Sequence, residues 1–324
     1  MAGMMDYRDW LPIRAWPVAG DGWQVDWAWF GDAPLSEPFF QDSIEAMLHR
    51  PFNQALRCRT PLAELARWRE ASPGAPLRAL IHHASRCGST LLTRMLGALD
   101  SHAVYAEPPP LDALLRAPYR DPAFAAAQTG ALRDLLSALG QLRRGGERCV
   151  VVKLDAWNIF EAEALQAAFP QVPAIYLYRD PLEIAVSHLR QPGRHLVPGL
   201  IGPTPLALAS DETAALPRAE FIALTVARLL EAGLAQCEAG RLIPVNYVEL
   251  PQALTGRLAD VFGVPDDARD ALLARASHHA KRPQAPFEHD TAGKRAEAPD
   301  ELVEAVERWA MPAYRALEAL RAQP

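Results

Sequence analysis

The segment LRALIHHASRCGSTLLTRML, residues 77–96, joins a short apolar run to an amphipathic run through a turn that contains a glycine. The first run, residues 77–83, predicts a β-strand, and residues 90–99 have the apolar spacing of a helix. A loop between a strand and a helix N-terminus presents backbone N–H groups and the positive end of a helix dipole. The segment therefore predicts a turn that binds an anion.

The residue types in this turn suit that role. Gly88 permits a tight backbone, the hydroxyls of Ser89 and Thr90 can donate hydrogen bonds, and Arg86 supplies a permanent charge on a planar fork of donors. The lysine of the usual GK[ST] phosphate loop is missing. The alternative is an ordinary strand-to-helix turn capped by Ser89. The loop residues predicted to contact the ligand are Ser85, Arg86, Cys87, Gly88, Ser89, Thr90 and Leu91.

Strand-like and helix-like segments alternate from this turn to the end of the chain. Four further strands are predicted, at 101–107, 148–154, 173–179 and 241–247. Helices are predicted at 131–144, 158–169, 181–190, 219–237, 250–263 and 300–320, the last bent or broken at Pro312. This alternation predicts the α/β class, with a doubly wound parallel sheet flanked by helices. Its ligand is expected beyond the carboxyl ends of the strands.

Residues 1–75 differ from the rest of the chain and predict a small Trp-rich N-terminal unit of unknown role, with the α/β domain at 76–324. Short helices are predicted at 43–50 and 61–70, and residues 71–76 predict a linker. The tryptophans are interpreted as core residues, the alternative being a platform for a substrate. They are Trp10, Trp16, Trp23, Trp27 and Trp29.

The composition of the 324-residue chain excludes several classes of protein. The net charge of −6 offers no global basic field for nucleic acid, so a local cluster of cations must meet any anionic ligand. The four cysteines form no CxxC pair, which argues against a zinc site and a disulfide framework. No apolar run has the roughly 20 residues of a membrane span. The first 16 residues have charges and tryptophans where a signal peptide needs an apolar run, so no signal peptide is expected. We expect a cytoplasmic protein with no membrane partner and no metal.

A second segment, YLYRDPLEIAVSHLRQ at 176–191, offers another anion site. It places Arg179 at the end of a predicted strand and Ser187 on the helix that follows. A cation and a hydroxyl at a second strand end could hold a second phosphate. The alternative is a turn in which Arg179 pairs with the adjacent Asp180.

Together and in this order, SRCGSTLL at 85–92 and YRDPLEIAVSH at 178–188 resemble the two nucleotide-binding segments of the sulfotransferase family. The passage IPVNYVELPQALTGRLADVFGVP, 243–265, is similar to that family's later strand-and-helix segment. The resemblance covers roughly residues 77–320. It departs at Cys87, where the family usually has serine, and at residues 246–249, which vary the later motif.

The resemblance implies a P-loop nucleotide-binding domain whose co-substrate is 3′-phosphoadenosine 5′-phosphosulfate (PAPS). It assigns the first loop, with Arg86, to the 5′-phosphosulfate, and Arg179 with Ser187 to the 3′-phosphate. A late basic loop that contains Lys294 and Arg295 would close over the 3′-phosphate; the alternative is a solvated charged loop. The donor already carries its leaving group, so no metal is expected.

Three side chains at strand ends are candidates for the chemistry. Glu107 follows the second predicted strand, and the resemblance implies that it is the catalytic base. Lys153 ends a buried strand, where an unpaired charge is costly, which favours a functional role. The resemblance implies that it contacts the transferring group. Asp155 is a rival base or an orienting partner of Lys153. His82 and His83 are interpreted as strand packing, and His188 as a residue of the helix surface.

These features predict a sulfotransferase that moves a sulfuryl group from PAPS to a hydroxyl or amine of a small molecule or peptide. The transfer would be in line, with a carboxylate base. Residues 190–213 and the N-terminal unit are expected to bind the acceptor. The alternatives are a kinase that uses Mg-ATP and a nucleotide-binding partner protein without catalysis.

Overall fold

The computed structural model describes residues 5–207, 216–276, 278–279, 282–286 and 297–323. Strands β1 (Trp10–Val18), β2 (Gly22–Trp29) and β3 (Cys58–Pro61) form an antiparallel sheet in the order β1-β2-β3. Strands β9 (His278–His279) and β10 (Arg282–Pro286) pair with each other late in the chain. The strands between them build the main sheet: β4 (Leu77–His83), β5 (His102–Ala106), β6 (Cys149–Lys153), β7 (Ala174–Tyr178) and β8 (Ile243–Asn246).

The main sheet has the strand order β5-β6-β4-β7-β8. β5 runs parallel to β6, and β7 runs parallel to β8. The chain thus builds outward from β4 in one direction and then in the other, which confirms the predicted α/β class and doubly wound sheet. The loop after β4 is the point where the winding reverses, and such points are the usual ligand sites of these sheets.

The helices flank these strands. Those before residue 150 are α1 (Phe40–Leu48), α2 (Pro51–Ala55), α3 (Ala63–Ala71), α4 (Ser89–Leu96), α5 (Pro109–Leu115) and α6 (Ala125–Leu139). Those after it are α7 (Ala162–Ala168), α8 (Pro181–Arg190), α9 (Arg218–Glu238), α10 (Gln252–Thr255), α11 (Ala259–Phe262), α12 (Arg269–Ala276), α13 (Asp300–Trp309) and α14 (Met311–Arg321). Over the ranges that the structure describes, no helix is both long and apolar enough to span a membrane.

Two predicted helices are interrupted. The single helix expected at 250–263 is the pair α10 and α11, because Gly256 and the residues around it leave helical geometry. The helix expected at 300–320 ends at Trp309 and restarts at Met311. Pro312 then occupies the first turn of α14, where its missing N–H leaves no intrahelical hydrogen bond unmade.

The chain divides into two compact units. The first comprises residues 1–80, 93–154 and 163–172, and the second comprises residues 81–92, 155–162 and 173–324. Residues 1–75 therefore lie in the same compact unit as β5 and β6. The predicted division into an N-terminal unit at 1–75 and an α/β domain at 76–324 stays a prediction.

Aromatic side chains fill the core of the first unit. The Trp27 ring stacks on Tyr7 with centroids 4.6 Å apart, and Trp68 meets the same tyrosine edge-on at 5.5 Å. Phe40 of α1 packs edge-on against Tyr105 of β5 at 5.1 Å. Trp10 and Trp27 are buried, in keeping with their interpretation as core residues, while Trp16, Trp23 and Trp29 are half-buried.

The second unit is held together by contacts that α9 and α14 make with its strands. Tyr176 of β7 donates a hydrogen bond from its hydroxyl to the Leu229 carbonyl of α9 at 2.7 Å. The same ring packs on Gly233, where a Cβ would lie 2.1 Å from ring carbons. Glu318 of α14 accepts hydrogen bonds from Tyr178 of β7 at 2.5 Å and from Asn246 of β8 at 2.9 Å. These bonds tie the last helix to the carboxyl ends of two strands.

Candidate functional site

The loop after β4, residues 84–88, has an unusual backbone. Ser85 and Arg86 have φ angles of 65° and 49°, and Gly88 has a φ of 87°. Positive φ is uncommon for residues with a side chain and costs roughly 1–3 kcal/mol each. Helix α4 begins at Ser89, directly after this loop. The predicted strand, turn and helix are therefore present, and the turn is strained at two predicted site residues.

Three hydrogen bonds fix the start of this loop. The backbone N–H of Ser85 donates to Nδ1 of His83 at 3.0 Å. The Leu177 carbonyl of β7 accepts from the backbone N–H of Ala84 at 2.9 Å and from the thiol of Cys87 at 3.1 Å. Cys87 is fully buried, so its side chain anchors the loop to β7.

The second half of the loop passes directly into α4. The N–H groups of Leu91 and Leu92 both donate to the Gly88 carbonyl, which commits them to the first helical turn. Ser89 and Leu91 are buried, and Thr90 is half-buried. The half-buried Arg86 donates a hydrogen bond from Nη2 to the carbonyl of Gln191 at 2.8 Å. The loop cation is thus held against the C-terminal end of α8.

Tyr247, which follows β8, covers Gly88. A Cβ at residue 88 would lie 2.5 Å from Cδ2 and 2.6 Å from Cε2 of the Tyr247 ring. Heavy atoms do not approach so closely, so only glycine fits at this position. The glycine is required both for its left-handed backbone and for its closeness to the tyrosine.

The same tyrosine holds Arg179, at the end of β7. The guanidinium carbon of Arg179 lies 4.1 Å from the centroid of the Tyr247 ring, a cation–π contact. Arg179 is 5% exposed and forms an ion pair with Glu183, one turn into α8. Arg179, Gly88 and Tyr247 are therefore in one cluster within the second unit.

The neighbouring Asp180 caps the helix that follows it. Its side chain accepts from the N–H groups of Leu182 at 3.0 Å and Glu183 at 3.2 Å, which caps the N-terminus of α8. Arg179, for its part, forms its ion pair with Glu183. Ser187 lies on α8 and is half-buried.

In the first unit, Glu107 and Lys153 form an ion pair. Nζ of Lys153 lies 2.8 Å from Oε1 of Glu107, and the Glu107 N–H donates to the Lys153 carbonyl at 2.7 Å. The lysine side chain is 1% exposed, and that of the glutamate is 24% exposed. The pairing follows from the strand register, in which Ala106 of β5 lies opposite Lys153 of β6. Glu107 has a φ of 54°. In the part of the chain that the structure describes, the non-glycine residues with positive φ are Ser85, Arg86 and Glu107.

The N-terminal segment borders this pair. The Phe39 ring, at the start of α1, lies 4.6 Å from Nζ of Lys153. Burial raises the pKa of Asp42 in the first turn of α1, and the negative charges of Glu45, Glu37 and Glu107 raise it further. The start of α1 therefore lies near the Glu107–Lys153 pair, which the sequence did not indicate.

Other predicted residues are placed as follows. Asp155 is buried and precedes a 3-10 turn, Ala156–Glu161, and the observed carboxylate partner of Lys153 is Glu107. His188 is fully buried rather than on the helix surface: its Nδ1 accepts from the Gly193 N–H at 3.3 Å, and its ring lies 5.1 Å from that of His195. It anchors the start of the segment expected to bind the acceptor. Lys294 and Arg295 lie outside the described residues.

Sequence reasoning missed Tyr247, Phe39 and the hydrogen bond of His83. Tyr247 lies in the varied stretch 246–249, and Phe39 lies in the N-terminal unit, and neither has a local pattern that indicates its contact. Among the residues whose positions are described, no three His, Cys, Asp or Glu side chains come together as a metal site.

Comparison with known proteins gave matches among solved structures only: no protein-family model and no curated protein matches the chain. A sulfotransferase from Alicyclobacillus acidocaldarius is 16% identical with a TM-score of 0.44, covering 77% of this chain and 97% of that one. The sulfotransferase domain from the curacin biosynthetic pathway is 17% identical with a TM-score of 0.41, covering 77% and 99%. Sulfotransferase STF9 from Mycobacterium avium is 12% identical with a TM-score of 0.44, covering 79% and 80%. The functional assignment depends on this chain's own residues.

Proposed function

We propose that this protein is a PAPS-dependent sulfotransferase, which moves a sulfuryl group to a hydroxyl or amine of a small molecule or peptide. The observation that carries the proposal is the cluster of Gly88, Tyr247 and Arg179 beside a strained loop at the reversal point of the sheet. A loop of this kind at the start of a helix suits an anion, and Arg179 supplies a second cationic position.

Each half of the nucleotide has its own residues in the proposal. The loop, residues 85–91, receives the 5′-phosphosulfate through the start of α4 and the Ser89 and Thr90 hydroxyls. Arg179 and Ser187 receive the 3′-phosphate. Lys294 is proposed as a further contact of the 3′-phosphate.

The side chains of Glu107 and Lys153 support the chemical roles proposed for them. The acceptor oxygen or nitrogen attacks the sulfur atom, the bond from sulfur to the bridging phosphate oxygen breaks, and 3′-phosphoadenosine 5′-phosphate (PAP) leaves. Glu107 takes the acceptor proton, a role that suits its partly exposed carboxylate. Lys153, a buried cation, and Arg86 stabilise the charge that develops on the leaving oxygen.

The exposed side of Glu107 is where the acceptor is proposed to approach. Phe39 lies against Lys153, and burial and also the charge of Glu107 raise the pKa of Asp42, which supports a role for the start of α1 in selecting the acceptor. The segment anchored by His188 is the second acceptor element in the proposal. This gives the N-terminal unit a role in specificity.

The first test is calorimetric titration of PAP in a buffer with EDTA, compared with a separate titration of Mg-ATP in a buffer with Mg²⁺ and no EDTA. We expect metal-free binding of PAP that is at least about tenfold tighter than binding of Mg-ATP, which corresponds to about 1.4 kcal/mol. A preference for Mg-ATP would support a kinase instead.

The second test follows the sulfuryl group itself. The protein is incubated with PAPS and a panel of phenols, alcohols and amines, and PAP release is measured together with the mass gain of the acceptor. Transfer that depends on Glu107 supports the enzyme. Tight PAP binding without transfer to any class of acceptor would favour a nucleotide-binding partner protein.

A further inference from the structure

His83 makes a contact that strand packing does not require. It ends β4, and its Nδ1 accepts the backbone N–H of Ser85, two residues further on, at 3.0 Å. A backbone N–H can only donate, so Nδ1 of His83 must carry a lone pair. His83 is 4% exposed, and the neutral ring then keeps its proton on Nε2.

This geometry is that of an Asx-turn made by a histidine. In such turns an aspartate or asparagine side chain accepts from the N–H two residues later and directs the backbone into a turn. Ser85 receives that bond and has a φ of 65°, and Arg86, with a φ of 49°, comes next. The residue that receives the bond is thus the first strained residue of the loop.

The bond stabilises a conformation that Ser85 and Arg86 would not adopt by themselves. Left-handed backbone costs on the order of 1–3 kcal/mol per residue and persists only where the surroundings fix it. On one side of the strained pair the Cys87 thiol is tied to β7, and on the other the Ser85 amide is tied to His83. Without the His83 bond, one of these two attachments is lost.

We propose that His83 is a positioning residue, which holds the loop at 84–88 in its strained, anion-binding conformation by accepting the Ser85 N–H in its Nε2–H tautomer. The role in nucleotide binding rests on the proposed function, whereas the role in loop conformation does not. His83 touches neither phosphate nor acceptor in this proposal and acts through the loop.

The test compares three replacements that differ in where they place an acceptor. His83→Asn keeps an acceptor at the Asx-turn position, His83→Gln moves the same amide one methylene further out, and His83→Leu removes it. Imidazole ¹⁵N NMR of the wild-type protein reports which ring nitrogen carries the proton. Amide hydrogen exchange at residues 84–88 reports loop order in all four proteins, and calorimetry reports PAP affinity.

We expect a bare Nδ1 in the wild type, faster exchange of the Ser85 amide in the Leu and Gln variants, and slow exchange again in the Asn variant. The PAP dissociation constant should rise about threefold to tenfold in the first two and return towards the wild-type value in the third. A proton on Nδ1, or an Asn variant that behaves like the Leu variant, overturns the proposal. If the four proteins show the expected exchange rates but the wild type does not bind PAP, the positioning role stands and the proposed function fails.

Discussion

Gly88 lies so close to the ring of Tyr247 that a residue with a side chain does not fit there, since an added Cβ would lie 2.5 Å from a ring carbon. The same ring faces the Arg179 guanidinium at 4.1 Å. One tyrosine thus fixes both the loop proposed for the 5′-phosphosulfate and the arginine proposed for the 3′-phosphate. A substitution of Gly88 or of Arg179 is therefore expected to disturb the position of the other residue as well.

Replacement of Gly88 by alanine tests the close packing. The methyl group would collide with Tyr247 and would also sit on a backbone with a φ of 87°. We expect a loss of about 1–3 kcal/mol in the free energy of unfolding, together with weaker PAP binding. Urea unfolding and calorimetry measure the two effects.

Gly130→Ala is the matched control for this substitution. Gly130 lies within α6, and a Cβ there would have no atom within 4 Å. Alanine should stabilise that helix by about 0.5–1 kcal/mol and leave PAP binding unchanged. Equal losses in the two variants would contradict the special role of Gly88.

Arg179→Ala separates the two phosphates of the nucleotide. If Arg179 holds the 3′-phosphate, the variant should lose about tenfold to a hundredfold in affinity for PAP and little in affinity for adenosine 5′-phosphate, which lacks that group. Titrations with both nucleotides measure the ratio. Arg190→Ala, at the exposed end of α8, serves as the control. A parallel loss for both nucleotides would mean that the variant damages the loop instead.

Glu107→Gln tests the identity of the base. The amide keeps the shape of the side chain but cannot take a proton, so kcat should fall by about 10²–10⁴-fold while PAP affinity is retained. Asp155→Asn, measured beside it, should retain most of the activity. The reverse result would assign the proton transfer to Asp155.

Phe39→Leu tests whether the N-terminal segment acts on the acceptor. The change retains apolar volume but removes the ring that faces Nζ of Lys153, a contact worth about 0.5–2 kcal/mol. We expect a several-fold rise in KM for the acceptor and an unchanged dissociation constant for PAP. Phe52→Leu, at an exposed phenylalanine of the same unit that packs on Trp10 and Trp29, should change neither.

Glu318 predicts how the stability of the second unit depends on pH. Burial raises its pKa, but hydrogen bonds from Arg321, Asn246 and Tyr178 lower it by more, from its ordinary value of 4.5 to about 2. Because the folded carboxylate binds a proton less readily than the unfolded one, its contribution is present above pH 4.5 and is lost as the pH falls towards 2.

Urea titrations of the wild type and Glu318→Gln at pH 7, 4.5 and 3 measure this contribution. The difference between the two proteins should be largest at pH 7 and should shrink as the pH is lowered. A difference that is constant over this range would show that the carboxylate charge is not involved.

Local sequence signals were sufficient for the elements that build the site. Strand β4 and helix α8 have the predicted limits, because an apolar run ends in a polar loop at the first and a proline opens the second.

Contacts between distant segments could not be predicted in the same way. The N-terminal sheet depends on the pairing of Trp27 with Cys58, and no local pattern specifies such a register. The Glu107–Lys153 pair requires β5 and β6 to be neighbours, and the strand order is known only from the fold. Tyr247 meets Gly88 only after β8 has joined the sheet beside β7.

The left-handed residues Ser85, Arg86 and Glu107 also bear on efforts to make this protein more heat-resistant. A search for stabilising substitutions would select these positions first, because glycine or asparagine relieves the backbone cost at each. Yet these are the residues proposed to meet the sulfate donor and to take the acceptor proton. Thermostable variants obtained at these three positions are therefore expected to be poor catalysts, and gains in melting temperature should be sought elsewhere, at sites such as Gly130.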